Sequence, residues 1–123
     1  MKITNTAWGI VGSRLLGRPF YSRVHVTYRC NYRCQMCAVC GSRDRYAELP
    51  AAALATVAER LWALGARHVV LTGGEPFLRR DLPEIVRAFA GHRFSIRIQT
   101  NGGPQLTRDA LAAVAEAGAR DLS

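Results

Sequence analysis

Four cysteines fall between positions 30 and 40, spaced Cys30-x3-Cys34-x2-Cys37-x2-Cys40. Thiolates are soft ligands and a compact loop can wrap a single centre, so cysteines packed this closely point to metal binding rather than to disulfides. The spacing narrows the choice of metal. Zinc ribbons and fingers split their ligands into two pairs about 12 to 20 residues apart, which this segment does not do. Bacterial ferredoxins place the three-residue gap last and follow it with proline, whereas here it comes first and Gly41 follows the last cysteine. A haem attachment needs histidine directly after a Cys-x2-Cys pair, and Ala38 and Gly41 stand there instead.

Two further clusters carry chemistry. In Thr72-Gly73-Gly74-Glu75-Pro76 the glycines permit close backbone approach, the Glu75 carboxylate suits an ammonium group, and Pro76 keeps Glu75 extended. Taken alone, the same residues also read as an ordinary strand-to-helix turn with a solvated acid. Gln99-Thr100-Asn101-Gly102 ends in Asn-Gly, a common turn dipeptide, so a structural role and a ligand-binding role both stand.

The elements that must position these clusters alternate along the chain. A short amphipathic segment is expected around Trp8 to Leu16. Val24, Val26 and Tyr28 then alternate with His25 and Thr27, which predicts a strand running into the cysteines. A helix follows, with Pro50 in its first turn, an apolar face of Leu54, Val57, Ala58, Leu61 and Leu64, and Gly65 as its stop; Trp62 is a packing residue on it. Val69-Val70-Leu71 reads as a strand covered on both faces and ended by the glycine pair. Asp81-Leu82-Pro83-Glu84 has the spacing of a capping box and opens a second helix. Phe94, Ile96 and Ile98 alternate with Ser95, Arg97 and Gln99 in a third strand, after which Thr107 caps a helix that Gly118 ends, with Leu106 and Leu111 as its staple. Residues 120–123 start a fourth strand.

This order implies right-handed βαβ units and a parallel α/β sheet. By strand alternation His25, Thr27, Arg97 and Gln99 face away from the helices, which makes His25, Arg97 and Gln99 candidates for the substrate side. The chain stops where another unit would begin, as expected of a fragment or a truncated frame.

Composition excludes other classes. With 123 residues, 49% of them hydrophobic and 21% charged, the chain fits one globular domain. It falls short of the roughly 250 residues of a complete eightfold barrel. No apolar run approaches the ~20 residues of a membrane span, and no signal peptide is apparent, so a reducing cytoplasm is the expected setting. The net charge is +8, and Lys2 together with six arginines up to Arg43 meets no acid in that first third. That field would suit an acidic redox partner, an anionic substrate or nucleic acid, but a solvated basic face in an Arg- and Ala-rich chain is the favoured reading. The basic-aromatic strand pattern of RNA-binding folds is absent, which leaves a zinc-dependent nucleic-acid module least supported.

Cys30-Asn31-Tyr32-Arg33-Cys34-Gln35-Met36-Cys37 resembles the Cys-x3-Cys-x2-Cys signature of the radical S-adenosylmethionine (radical SAM) enzymes. Gly73-Gly74-Glu75-Pro76, one strand later, is similar to that family's Gly-Gly-Glu-Pro motif, and Thr100-Asn101-Gly102 to its Thr-Asn-Gly segment. The resemblance spans roughly residues 21–123, with residues 1–20 as an N-terminal extension. It implies the first half of a TIM-like partial (βα)6 barrel, incomplete here. It further implies that Cys30, Cys34 and Cys37 hold a 4Fe-4S cluster with one iron left open for S-adenosylmethionine (SAM). Gly73, Gly74, Glu75 and Pro76 would position that cofactor, with Thr100 and Asn101 nearby. Met36, where the family often has an aromatic residue, would lie against the adenine. Implied too are an electron donor such as flavodoxin or ferredoxin and reductive cleavage of SAM to a 5'-deoxyadenosyl radical. That radical would abstract hydrogen from a substrate the sequence does not name. Cys40 is additional to the signature. It is expected to serve as a spare buried thiol, as a redox-sensitive neighbour or as a fourth ligand closing the cluster, and the last would describe a non-enzymatic electron-transfer or scaffold module.

Overall fold

The computed structural model describes residues 3–41 and 46–123, with side chains from residue 7 onward except at Cys40. A first helix, α1 (Ile3–Leu16), precedes strand β1 (Tyr21–Thr27). Helix α2 (Ala51–Leu64), strand β2 (His68–Gly73), helix α3 (Leu82–Gly91), strand β3 (Ser95–Ile98), helix α4 (Arg108–Ala117) and strand β4 (Asp121–Leu122) complete the alternation. Short 3-10 turns lie at Ala38–Gly41 and Pro76–Leu78.

The four strands form one parallel sheet in the order β1-β2-β3-β4. Sequential order without reversal belongs to a singly wound barrel rather than to a doubly wound sheet, whose order turns back at a switch point. Along β3, Ile96 and Ile98 are buried while Ser95 and Arg97 are exposed, as the period-2 pattern predicts. The buried face meets Leu54 and Ala58 of α2, Leu82, Ile85, Val86 and Phe89 of α3, and Val114 of α4 in one core with Val69 and Leu71. The opposite face, bearing His25, Arg97 and Gln99, is open.

Local signals decide most of the ends. Helix α2 stops at Gly65, which takes the left-handed conformation, and α4 likewise at Gly118. Thr107 accepts the Ala110 amide through its hydroxyl at 3.1 Å, the expected cap.

Five expectations need correction. The first helix is longer than the segment from Trp8 to Leu16, and Trp8, Ile10, Val11, Leu15 and Leu16 are all exposed, so among its described side chains no buried apolar stripe runs along it. Pro50 stands one place before α2, at its cap, and Leu64 at the far end of the helix is 55% exposed, because the sheet is already left behind there. Asp81 gives α3 no side-chain cap; Arg79 takes both its carboxylate oxygens instead. Finally, the β1–β2 register shifts between His25 and Thr27, leaving Val26 out of the pairing as a bulge. Thr27 consequently is buried rather than open to the barrel side like His25.

Burial predicts the energetics of the one helix face that sequence drew too wide. Leu54→Ala, at a position 1% exposed, is expected to cost about 2–5 kcal/mol. Leu64→Ala should stay within about 0.5 kcal/mol of the parent chain. Urea unfolding of the two variants measures the contrast.

Candidate functional site

The cysteine segment leaves β1 at the C-terminal end of the sheet, where parallel α/β folds place their sites. Cys30 is half-buried, and its sulfur accepts the Tyr32 amide at 3.4 Å and the Asn101 side-chain amide at 3.8 Å. Cys34 and Cys37 are exposed, joined by a turn in which the Cys37 amide donates to the Cys34 carbonyl at 3.1 Å. All three carry thiols rather than disulfides. The Cys40 side chain, and with it the choice among spare thiol, redox-sensitive neighbour and fourth ligand, lies outside the described residues.

Backbone contact ties this segment to the Gly73-Gly74 turn. The Gly74 amide donates to the Thr27 carbonyl at 3.0 Å and the Glu75 amide to the Arg29 carbonyl at 2.8 Å, continuing the β1–β2 pairing past the end of β1. A Cβ on Gly73 would stand 2.0 Å from the Thr27 carbonyl oxygen, and one on Gly74 2.1 Å from that of Arg29. Gly73 also has φ +147°, which only glycine adopts freely. The glycine pair is therefore required by the approach of two backbones, whatever else binds there.

Glu75 is fully buried, not a solvated turn acid. Its carboxylate accepts the Phe77 amide at 3.0 Å, the Asn101 amide at 2.7 Å, and the Thr100 hydroxyl at 2.9 and 3.0 Å to its two oxygens. It thus links the end of β2 to the end of β3. Asn101 extends the link: its side-chain amide donates to Asn31 at 2.8 Å, and its oxygen accepts from the Gly103 amide and from Gln105, each at 2.9 Å. Asn31 in turn donates to Gln105 at 2.9 Å.

These contacts surround a cavity of about 380 Å³ lined by Cys30, Cys34, Cys37, Gly73, Gly74, Thr100 and Asn101 among others. His25 and Gln99 line it too, with Arg23 and Thr72. Gln99 accepts from Arg23 at 2.7 Å and from the Thr72 hydroxyl at 3.2 Å. Three expected site residues, Met36, Glu75 and Pro76, do not line the cavity: Met36 is 95% exposed, while Glu75 and Pro76 are buried. Arg97 lies apart, in a groove beside Asp121, to which its Nε donates at 2.7 Å. Arg23 escaped the sequence analysis although it shares the alternation that selects His25. Asn31 and Gln105 had no signal, since they meet only through folding.

Below the cavity, a polar neck joins the flanks of the cysteine segment. Glu48 accepts from the Thr27 hydroxyl and from Arg29 Nε at 2.6 Å. Burial pushes the Glu48 carboxyl up, but hydrogen bonds from Arg29 and Thr27 and the charges of Arg29 and Arg79 outweigh it and hold it below its ordinary value. The hydrogen bond from Arg79 likewise lowers Asp81, against the opposing effect of burial.

The donor set can be tested against a metal centre. Among the described residues, no three His, Cys, Asp or Glu side chains gather closely enough to hold a single metal ion. By donor type, three thiols lining one cavity are what an iron-sulfur cluster takes. The N–H donors on the Cys30 sulfur are of the kind that support a cluster thiolate. In the chemistry of their donors, though not in a gathered ligand geometry, these residues suit such a centre.

Comparison with known proteins agrees. The model of the Radical SAM superfamily matches residues 24–123, and the chain belongs to that family. A probable GTP 3',8-cyclase of Methanopyrus kandleri is 41% identical over 104 residues, covering 84% of this chain and 33% of that protein. The GTP 3',8-cyclase of Synechococcus elongatus is 38% identical over 106 residues, covering 84% and 32%. The chain thus spans about a third of the length of these relatives. Among solved structures, BtrN in complex with AdoMet and 2-DOIA superposes with TM-score 0.70 at 26% identity, covering 85% of this chain and 44% of that one. SuiB of Streptococcus suis bound to S-adenosylmethionine shares the fold, with TM-score 0.67 at 16% identity over 96% of this chain and 26% of that one. No helix among the described residues is long and apolar enough to cross a membrane.

Because Glu75 closes the β2–β3 seam from inside, Glu75→Gln places an NH2 group against backbone and hydroxyl donors. A loss of about 1–3 kcal/mol is expected, with the fold retained, as read by chemical denaturation.

Proposed function

We propose that this chain is the part of a radical SAM enzyme that binds the 4Fe-4S cluster and SAM. The observation that carries the proposal is the convergence of Cys30, Cys34, Cys37, Gly73, Gly74, Thr100 and Asn101 on one cavity at the strand ends. Bound there, cluster and cofactor together supply a one-electron reductant and a cleavable sulfonium, the source of radical hydrogen abstraction.

The chain's own residues supply place and polarity. Cys30, Cys34 and Cys37 are the cluster ligands, and the Tyr32 and Asn101 donors orient the Cys30 thiolate. Gly73 and Gly74 offer backbone without side chains, so that the cofactor's methionine end can lie close to β2. Glu75 acts from beneath by holding Thr100 and the Asn101 amide in position; an ammonium group would reach it only through that shell. His25 and Gln99 face the open side, where a substrate would enter, and exposed Met36 is free to cover the adenine. Arg97, paired with Asp121, is the weakest substrate-side candidate. A donor such as flavodoxin or ferredoxin and a reducing, cytoplasmic setting go with this function.

For the whole protein we put forward a purine nucleoside triphosphate as substrate class. The curated relatives named above are GTP 3',8-cyclases, and Arg23 brings a cationic guanidinium to the cavity wall.

Two experiments test the proposal. Anaerobic reconstitution with iron and sulfide should give a 4Fe-4S electron paramagnetic resonance signal that changes on adding SAM and is lost in Cys30→Ala, Cys34→Ala and Cys37→Ala. Cys40→Ala should keep it; its loss there would favour a closed electron-transfer centre. In the cluster-loaded protein, Arg23→Ala should weaken nucleoside triphosphate binding about tenfold or more by calorimetry. Unchanged affinity would remove that substrate class from this face.

A further inference from the structure

Arg79 lies outside the cavity, beneath the cysteine segment, and its side chain is almost wholly buried. Four of its five N–H donors are used. Nη1 donates to the Val26 carbonyl at 2.7 Å and to the Leu49 carbonyl at 2.9 Å. Nε and Nη2 reach the two carboxylate oxygens of Asp81 at 2.8 and 2.6 Å.

The two carbonyls are the significant partners. Val26 stands four residues before Cys30, and Leu49 stands directly before the Pro50 cap of α2, so they flank the stretch that carries every cysteine of the chain. The β1 bulge drops Val26 from the strand pairing. Its carbonyl would otherwise be buried without a ladder partner, a costly state for a backbone acceptor. Arg79 satisfies it and, with the same nitrogen, fixes the Leu49 carbonyl beside it. Asp81 holds the guanidinium plane in the orientation that allows both bonds, which only a forked cation can make together. The exits of the cysteine segment from β1 and toward α2 are therefore held at one point.

We propose that Arg79 is a positioning residue for the cysteine segment: from beneath, it sets where both flanks leave the sheet and hence how Cys30 sits against the Gly73-Gly74 turn. Resting on the proposed function, this makes Arg79 a determinant of cluster retention without being a ligand. A purely global role would predict something else, namely that its loss weakens the whole sheet evenly.

The test uses the full chain, iron-free and reconstituted, as wild type, Arg79→Gln and Asp81→Asn. In the iron-free chain, amide exchange at Gly74 and Glu75, which bond Thr27 and Arg29, should accelerate about tenfold in Arg79→Gln, while the β2–β3 ladder keeps its protection. Alkylation of half-buried Cys30 should accelerate alongside, with exposed Cys34 and Cys37 as internal references. After reconstitution, iron retained against a chelator should fall about tenfold, the lower end of what lost supporting contacts cost a metal site. Asp81→Asn should show the same pattern more weakly, and it decides the matter in the same way if Arg79→Gln does not fold. Equal acceleration at all amides, or an unchanged Cys30 rate in a folded variant, overturns the proposal. A wild type that takes up no iron would overturn the proposed function instead, while the exchange and alkylation measurements still decide the role of Arg79.

Discussion

The contact on which the rest of the molecule depends is the meeting of two backbones where β1 ends. Gly73 and Gly74 lie so close to the Thr27 and Arg29 carbonyls that no side chain fits between them, and the Gly74 and Glu75 amides bond across the gap. A parallel pair ordinarily parts when one strand turns away. Here the pairing persists beyond β1, and so the first residues of the cysteine segment are held by backbone bonds of the strand type. Cys30 follows Arg29 directly and inherits that position.

Once the glycine pair lies against β1, Glu75 is turned inward, where a charge is tolerated only with hydrogen-bond donors around it. The end of β3 provides them in the Thr100 hydroxyl and the Asn101 amide, and Phe77 adds a third from the following turn. One carboxylate thereby fixes the relative heights of β2 and β3, while the glycine seam fixes β1 and β2. Asn101 returns the link to Asn31 in the cysteine segment. Three successive strand ends are thus locked by polar contacts above a core that is purely apolar, and the cavity is the space these contacts leave.

This division explains which parts were legible in the sequence. Periodic features depend on one element and its burial: the alternation of Ile96 and Ile98 with Ser95 and Arg97, the Thr107 cap and the Gly118 stop were all readable. The glycine turn was readable as well, because close backbone approach leaves a local mark, and so was the placement of the three cysteines where a strand ends. Features arising from competition between elements were not. The capping-box spacing at Asp81 was sound, yet Arg79 engages the carboxylate more strongly than first-turn amides can, because its bidentate bonds are charge-assisted. Alternation placed Thr27 beside His25, and the bulge at Val26 separated them. Glu75 looked like a solvated acid or a ligand, and its three donors come from residues up to 26 positions away.

The same competition bears on the basic first third of the chain. Charge alone did not distinguish a solvated face from a surface for an anion. The structure sorts the arginines near the sheet by their partners. Arg29 meets Glu48, Arg97 meets Asp121 and Arg79 meets Asp81, so each of these guanidinium groups already has a carboxylate partner. Arg23 is different: the partner that holds its guanidinium at the cavity wall is the neutral amide of Gln99. A guanidinium oriented by a neutral acceptor keeps its full charge for a ligand, whereas one paired with a carboxylate must lose that pair first. Arg23 thus brings to the cavity wall, beside His25, a cation that no carboxylate among the described residues pairs with.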